Sequence, residues 1–121
     1  MPFYWTISSR DQLVEAQAEE RVTLADWLDA SAVMVGAQAI AYRKLLDARK
    51  AVLEMSHEDL MRVLVMARGY HEQHQVGPLA VVLPAGQVEE WSRILGALSA
   101  ADRPFKTFTG ERKARKWLSS L

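Results

Sequence analysis

Leu79-Ala80-Val81-Val82-Leu83 is a run of five consecutive apolar residues. Val76-Gly77-Pro78 precedes it and Pro84-Ala85-Gly86 follows, so turn formers bound it on both sides. A run this short, rich in β-branched residues and without alternation, predicts a strand with both faces covered. It is the expected central strand of an α/β sheet, and the flanking sequence is read outward from it.

Upstream, Ser56 with Asp59 three residues later forms a capping pattern, so a helix is expected over 57–74. Before it, Tyr42 to Ala48 (YRKLLDA) is short and lies between two helical patterns, so it reads as a strand. Thr23 and Asp26 repeat the capping pattern. Leu24, Trp27, Leu28, Ser31, Met34 and Val35 then share one helical face, which predicts a helix over 23–38. At the start, Phe3, Trp5 and Ile7 alternate with Tyr4, Thr6 and Ser8; Val14, Ala16 and Ala18 alternate with Glu15, Gln17 and Glu19. Two period-two segments joined by Ser8-Ser9-Arg10-Asp11 predict a hairpin, with its second strand over 13–19.

Downstream, Val88, Trp91, Ile94, Leu95 and Leu98 predict a helix over 87–101. Phe105 to Phe108 reads as a strand, Thr109 as an N-cap and 110–120 as a last helix. The predicted order is ββαβαβαβα. It describes a single α/β layer domain over 1–121, with a five-stranded mixed sheet and about four helices. The first strand is antiparallel and the others are joined by parallel crossovers.

The composition sets bounds on function. The chain has 121 residues, 15 Lys and Arg against 15 Asp and Glu, and no Cys. A net charge of zero argues against a dedicated nucleic-acid binder. Without cysteine there is no disulfide, thiolate metal site or thiol nucleophile. The N-terminus has no signal-peptide pattern and no window reads as a transmembrane span, so a cytoplasmic location is expected. No nucleophile-elbow sequence and no Gly-rich phosphate loop occurs, and the expectation is a protein that is not an enzyme and needs no cofactor. His71-Glu72-Gln73-His74 lacks the i,i+4 histidine pair of a zinc helix, and two histidines fall short of a three-ligand site. No metal is expected there.

Three other regions invite a functional reading. The helix over 56–74 carries Leu60, Met61, Val63, Leu64, Val65, Met66, Ala67 and Tyr70. They spread over about 260° of the wheel, where about 120° suffices to cover a sheet. Met61, Val65, Met66 and Tyr70 are therefore the candidate interaction surface, for an unknown protein or for a second copy in a homodimer. The last helix places Arg112, Lys113, Arg115 and Lys116 opposite an apolar face of Ala114, Trp117, Leu118 and Leu121. That basic arc is either a solvated face or a patch for an anionic partner such as a lipid headgroup at a membrane surface. Third, the carboxyl ends of the parallel strands gather Asp47, Arg49, Ser56 and His57, a candidate switch or ligand edge.

Several segments together look like the SpoIIAA-like family, which is related to STAS domains and distantly to Sec14-type lipid-binding domains. They are VTLADWLDA (22–30), AYRKLLDARK (41–50), VGPLAVVLP (76–84), LSAADRPFKTF (98–108) and ARKWL (114–118). The resemblance implies a regulatory or ligand-binding domain. STAS-type anti-sigma-factor antagonists carry a phosphorylatable Ser at a helix start, in an Asp-Ser-x-Gly context. Asp47 and Ser56 match by position, but Met55 precedes Ser56 and His57-Glu58 follow without Gly. The expected function is a non-catalytic regulatory or protein-interaction module. The alternative is binding or sensing of a small apolar or lipid-like ligand in a Sec14-like manner.

Overall fold

The computed structural model describes residues 3–56, 58, 59, 61–63, 65, 66, 69, 76–87, 89 and 105–121. Five strands form one sheet: β1 (Phe3–Ser8), β2 (Leu13–Val22), β3 (Arg43–Leu53), β4 (Leu79–Val82) and β5 (Phe105–Phe108). They lie side by side in sequence order. β1 pairs antiparallel with β2, and every later pair is parallel. Helix α1 spans Leu24–Gly36, and α3 spans Glu111–Ser119. Between β3 and β4 the described residues from 58 to 69 are helical and are called α2. Ala85–Gln87 is a single 3-10 turn. Three helices are thus delineated among the described residues, rather than about four. The fourth was expected over 87–101, which lies almost wholly outside them.

β4 behaves as its apolar run predicts. All four residues are buried. Leu79 and Val81 join the core on one face, and Ala80 and Val82 join the core on the other. Leu79, Val81 and Val82 each contribute about 1.5–3 kcal/mol by leaving water. Strands that advance in one direction through right-handed crossovers put their connecting helices on one face. Accordingly, Leu24, Trp27 and Ala30 of α1 share a core with Val63 of α2, Phe3, Leu46 and Val81. The opposite face is left to α3, whose Ala114 and Leu118 pack with Leu45, Ala80 and Val82. This short helix lies mainly over β3 to β5. The outer face of β1 and β2 keeps the polar half of its alternation: Tyr4, Thr6, Glu15 and Gln17.

The Thr23 capping box is present. The Asp26 amide donates to Thr23 Oγ1 at 3.3 Å, and the Thr23 amide donates to Asp26 Oδ2 at 3.0 Å. The helix begins one residue after this cap and stops at Gly36, two short of the expected end. Gln38 beyond it has a left-handed backbone, with φ 57°.

Two strands run further than their sequence predicts. β2 continues to Val22 past the expected end at 19, and β3 runs 43–53 in place of 42–48. A bulge conceals the continuation. Gln17 pairs with Asp47, but Glu19 pairs with Lys50, so β3 carries an extra residue. Glu20 opposite has a φ of 61°. The shift breaks the period of two, and the strands resume beyond it as a two-stranded arm. Ala51 and Val22 in that arm are buried against the core that includes Val63.

At the C-terminus Gly110, not Thr109, is the N-cap, and no side chain caps the helix. Leu121, expected on the apolar face, is 56% exposed, because the helix ends at Ser119 before a further turn can reach the sheet.

Candidate functional site

Asp47 does not end its strand. It sits at the bulge, level with Val82 at the end of β4. Its carboxylate accepts the Arg49 amide at 3.1 Å, Arg49 Nε at 2.9 Å and an Arg49 terminal nitrogen at 2.6 Å. The pair closes the extra residue into a local turn. The guanidinium holds the Asp47 carboxyl below its usual range, against the opposing effect of burial.

Ser56 lies beyond the arm. Six further strand residues at about 3.3 Å each carry β3 about 20 Å beyond Asp47 to Leu53, and Ser56 follows three residues later. The structure therefore does not gather Asp47, Arg49 and Ser56 at one level. Ser56 is an N-cap: its Oγ accepts the Asp59 amide at 3.1 Å, and its own amide donates to Asp59 Oδ2 at 3.1 Å. His57 lies outside the described residues.

The basic arc of α3 is divided. Arg112, Lys113 and Lys116 are exposed and form no ion pair among the described residues. Arg115 is turned toward the sheet. Its guanidinium meets Glu15 of β2 at 2.9 and 3.1 Å and Glu111 at 2.9 and 3.2 Å. The hydrogen bond from Arg115 lowers the Glu15 pKa from its ordinary value of 4.5. The two carboxylates raise that of Arg115 in return. This triad pins α3 to β2 beside a polar cleft of about 450 Å³, floored by the outward rows of β1, β2 and β3. Cross-strand register sets Tyr4, Gln17 and Asp47 in one row and Thr6, Glu15 and Leu45 in the next. The sequence shows the polar alternation of these strands. It does not show that α3 stops short of them, because that depends on a contact 100 residues apart.

The candidate interaction helix shows which of its faces is used. Val63 points into the core at 3% exposure, and Met66 is half-buried. Met61 and Val65, one turn apart, are 48% and 66% exposed. Glu58, Arg62 and Gly69 lie on the same outward arc and are also exposed. Arg62 pairs with Glu58 at 3.8 Å. Tyr70 lies outside the described residues, as do His71, Glu72 and His74. Among the described residues no group of three or more His, Asp or Glu is placed to hold a metal ion. No described helix is long and apolar enough to cross a membrane.

The backbone is similar to that of an uncharacterised protein of the DUF3478 family from Shewanella loihica PV-4, which has a SpoIIAA-like fold. The TM-score is 0.64 at 20% sequence identity, over 96% of this chain and 93% of that one. The chain has a SpoIIAA-like fold. The match spans nearly the whole length of both proteins, so the likeness includes the antiparallel β1 and the terminal α3. No protein-family model and no curated protein matches the sequence. The SpoIIAA-like fold agrees with a five-stranded mixed sheet with helices. It assigns no chemistry to the arm, the polar cleft or the outer face of α2.

Proposed function

We propose that this SpoIIAA-like domain is a non-catalytic regulatory module that works by binding protein through the outer face of α2, in the first place a second copy of itself. The observation that carries the reading is the exposure of Met61 and Val65 while Val63, between them in sequence, is buried. One side of α2 already does the work of covering the sheet, so the second apolar side has no role in the described part of the fold.

A second copy suits this face. A two-fold interface is self-complementary. Antiparallel pairing of two α2 helices sets Met61 of one copy near Val65 of the other. Glu58 and Arg62 supply both charge signs on the same arc. Gly69 has open space where a side chain would stand, which permits close approach. The zero net charge of the chain leaves no long-range repulsion between copies.

The non-catalytic part of the reading is supported by the sequence, which lacks a nucleophile motif and a phosphate loop. The test is the mass in solution. Multi-angle light scattering across a concentration series should show a dimer for the wild type and a folded monomer for the double variant M61E/V65E. A wild type that stays monomeric at every concentration would refute self-association.

A further inference from the structure

The two helical layers meet the sheet differently. α3 lies close on it, because Ala114 at the contact has almost no side chain. α1 stands further off, since it meets the strands through the bulk of Trp27 and Met34. Under α1 this leaves a cavity of about 110 Å³, whose wall includes Phe3, Trp5, Trp27, Ala30, Met34 and Leu79.

The wall is apolar in effect. The Ser31 hydroxyl in it donates back to the Trp27 carbonyl at 3.0 Å. The Lys44 ammonium donates to the Ile40 and Tyr42 carbonyls at 2.6 and 2.8 Å, so only its stem need face the space. Such a space offers a water molecule few polar partners, and apolar cavities of about 150 Å³ take up benzene in its place. Trp5, Trp27 and Ile40 are each partly exposed, so the cavity opens to solvent.

We infer that this cavity binds the apolar end of a small molecule, one ring or a short branched chain, between α1 and the sheet. Phe3 and Trp5, stacked at 5.9 Å, and Trp27 above them favour a flat ring. Drug-sized ligands fill roughly 300 Å³ or more, so a long acyl chain does not fit. The inference does not depend on self-association, because no described residue of α2 lines the wall.

The experiment is a titration of the full chain, labelled with nitrogen-15, followed through its tryptophan indole N–H signals. Benzene is the probe and palmitate the long-chain comparison. Benzene should shift the Trp5 and Trp27 signals saturably and leave Trp117, on the other face of the sheet, in place. Palmitate should move none of the three. Ala30→Leu fills the space and should abolish the benzene shift while the protein stays folded; Ala16→Val does the same from the floor if that variant fails to fold. No saturable benzene shift, an equal response to palmitate, or a shift that survives in a folded filled variant would each overturn the inference.

Discussion

Replacing Gly77 by Ala should be among the most damaging single-methyl changes in the chain. Gly77 lies just before β4, where its amide donates to the Ile40 carbonyl at 2.9 Å. The Pro78 carbonyl accepts from the Lys44 amide at 2.8 Å. These two bonds bring the beginnings of β3 and β4 together. A Cβ on residue 77 would stand 2.2 Å from the Tyr42 carbonyl oxygen, where ordinary contact begins at 3.4 Å. It would also meet the Ala41 carbonyl at 2.5 Å. Every obstructing atom is backbone, so no rotamer relieves the 1.2 Å shortfall. Moving the strands apart by that amount sacrifices at least one of the two hydrogen bonds. Overpacking costs about 1–3 kcal/mol, and a lost buried hydrogen bond adds about 1 kcal/mol. The expected loss is therefore about 2–4 kcal/mol, which for a domain of this size lowers Tm by roughly 10–20 °C. Urea unfolding followed by circular dichroism measures it. Gly86→Ala is the control, since nothing lies within 4 Å of a Cβ there. A Gly77→Ala protein within about 0.5 kcal/mol of wild type would refute the reasoning that this junction fixes the parallel pairing.

Two further outcomes follow from the contacts. Thr23→Ala should cost about 1 kcal/mol by removing the α1 cap, while Thr23→Ser should retain most of it; denaturant midpoints decide between them. The Arg115–Glu15 pair gives a pH dependence of known sign. Because Arg115 lowers the Glu15 pKa in the folded state, the stabilisation is complete above the ordinary value of 4.5 and is lost as pH falls through the lowered one. Both groups are nearly half exposed, so the effect stays below about 1 kcal/mol. Glu15→Gln should therefore lose slightly less stability than wild type between pH 7 and pH 3, as measured by urea unfolding at each pH.

The sheet was legible where one physical signal dominated. The apolar run at 79–83, the hairpin alternation and the Thr23–Asp26 spacing are local patterns, and each corresponds to an element in the structure. The β2–β3 arm was not legible. Its residues Glu19, Glu20, Arg21, Arg49 and Lys50 are charged, and the bulge at Asp47 shifts the alternation, so a period-two reading stops there. The strand was expected to end at Ala48, which brought Ser56 too close to it. The division of the basic arc was also invisible, because Arg115 is drawn to Glu15 across 100 residues while its neighbours on the helix are not. The width of the apolar arc on α2 was legible from the helical wheel. Which part of it meets the sheet was settled only by the burial of Val63.

The absence of cysteine allows the proposed interface to be tested directly. A Val65→Cys variant carries a single thiol on the outer face of α2. Val33→Cys, on the exposed side of α1, serves as the control. Under mild oxidation the first should form a disulfide-linked dimer rapidly and at low protein concentration, and the second should not. Equal and slow cross-linking of both variants would contradict a dimer through α2.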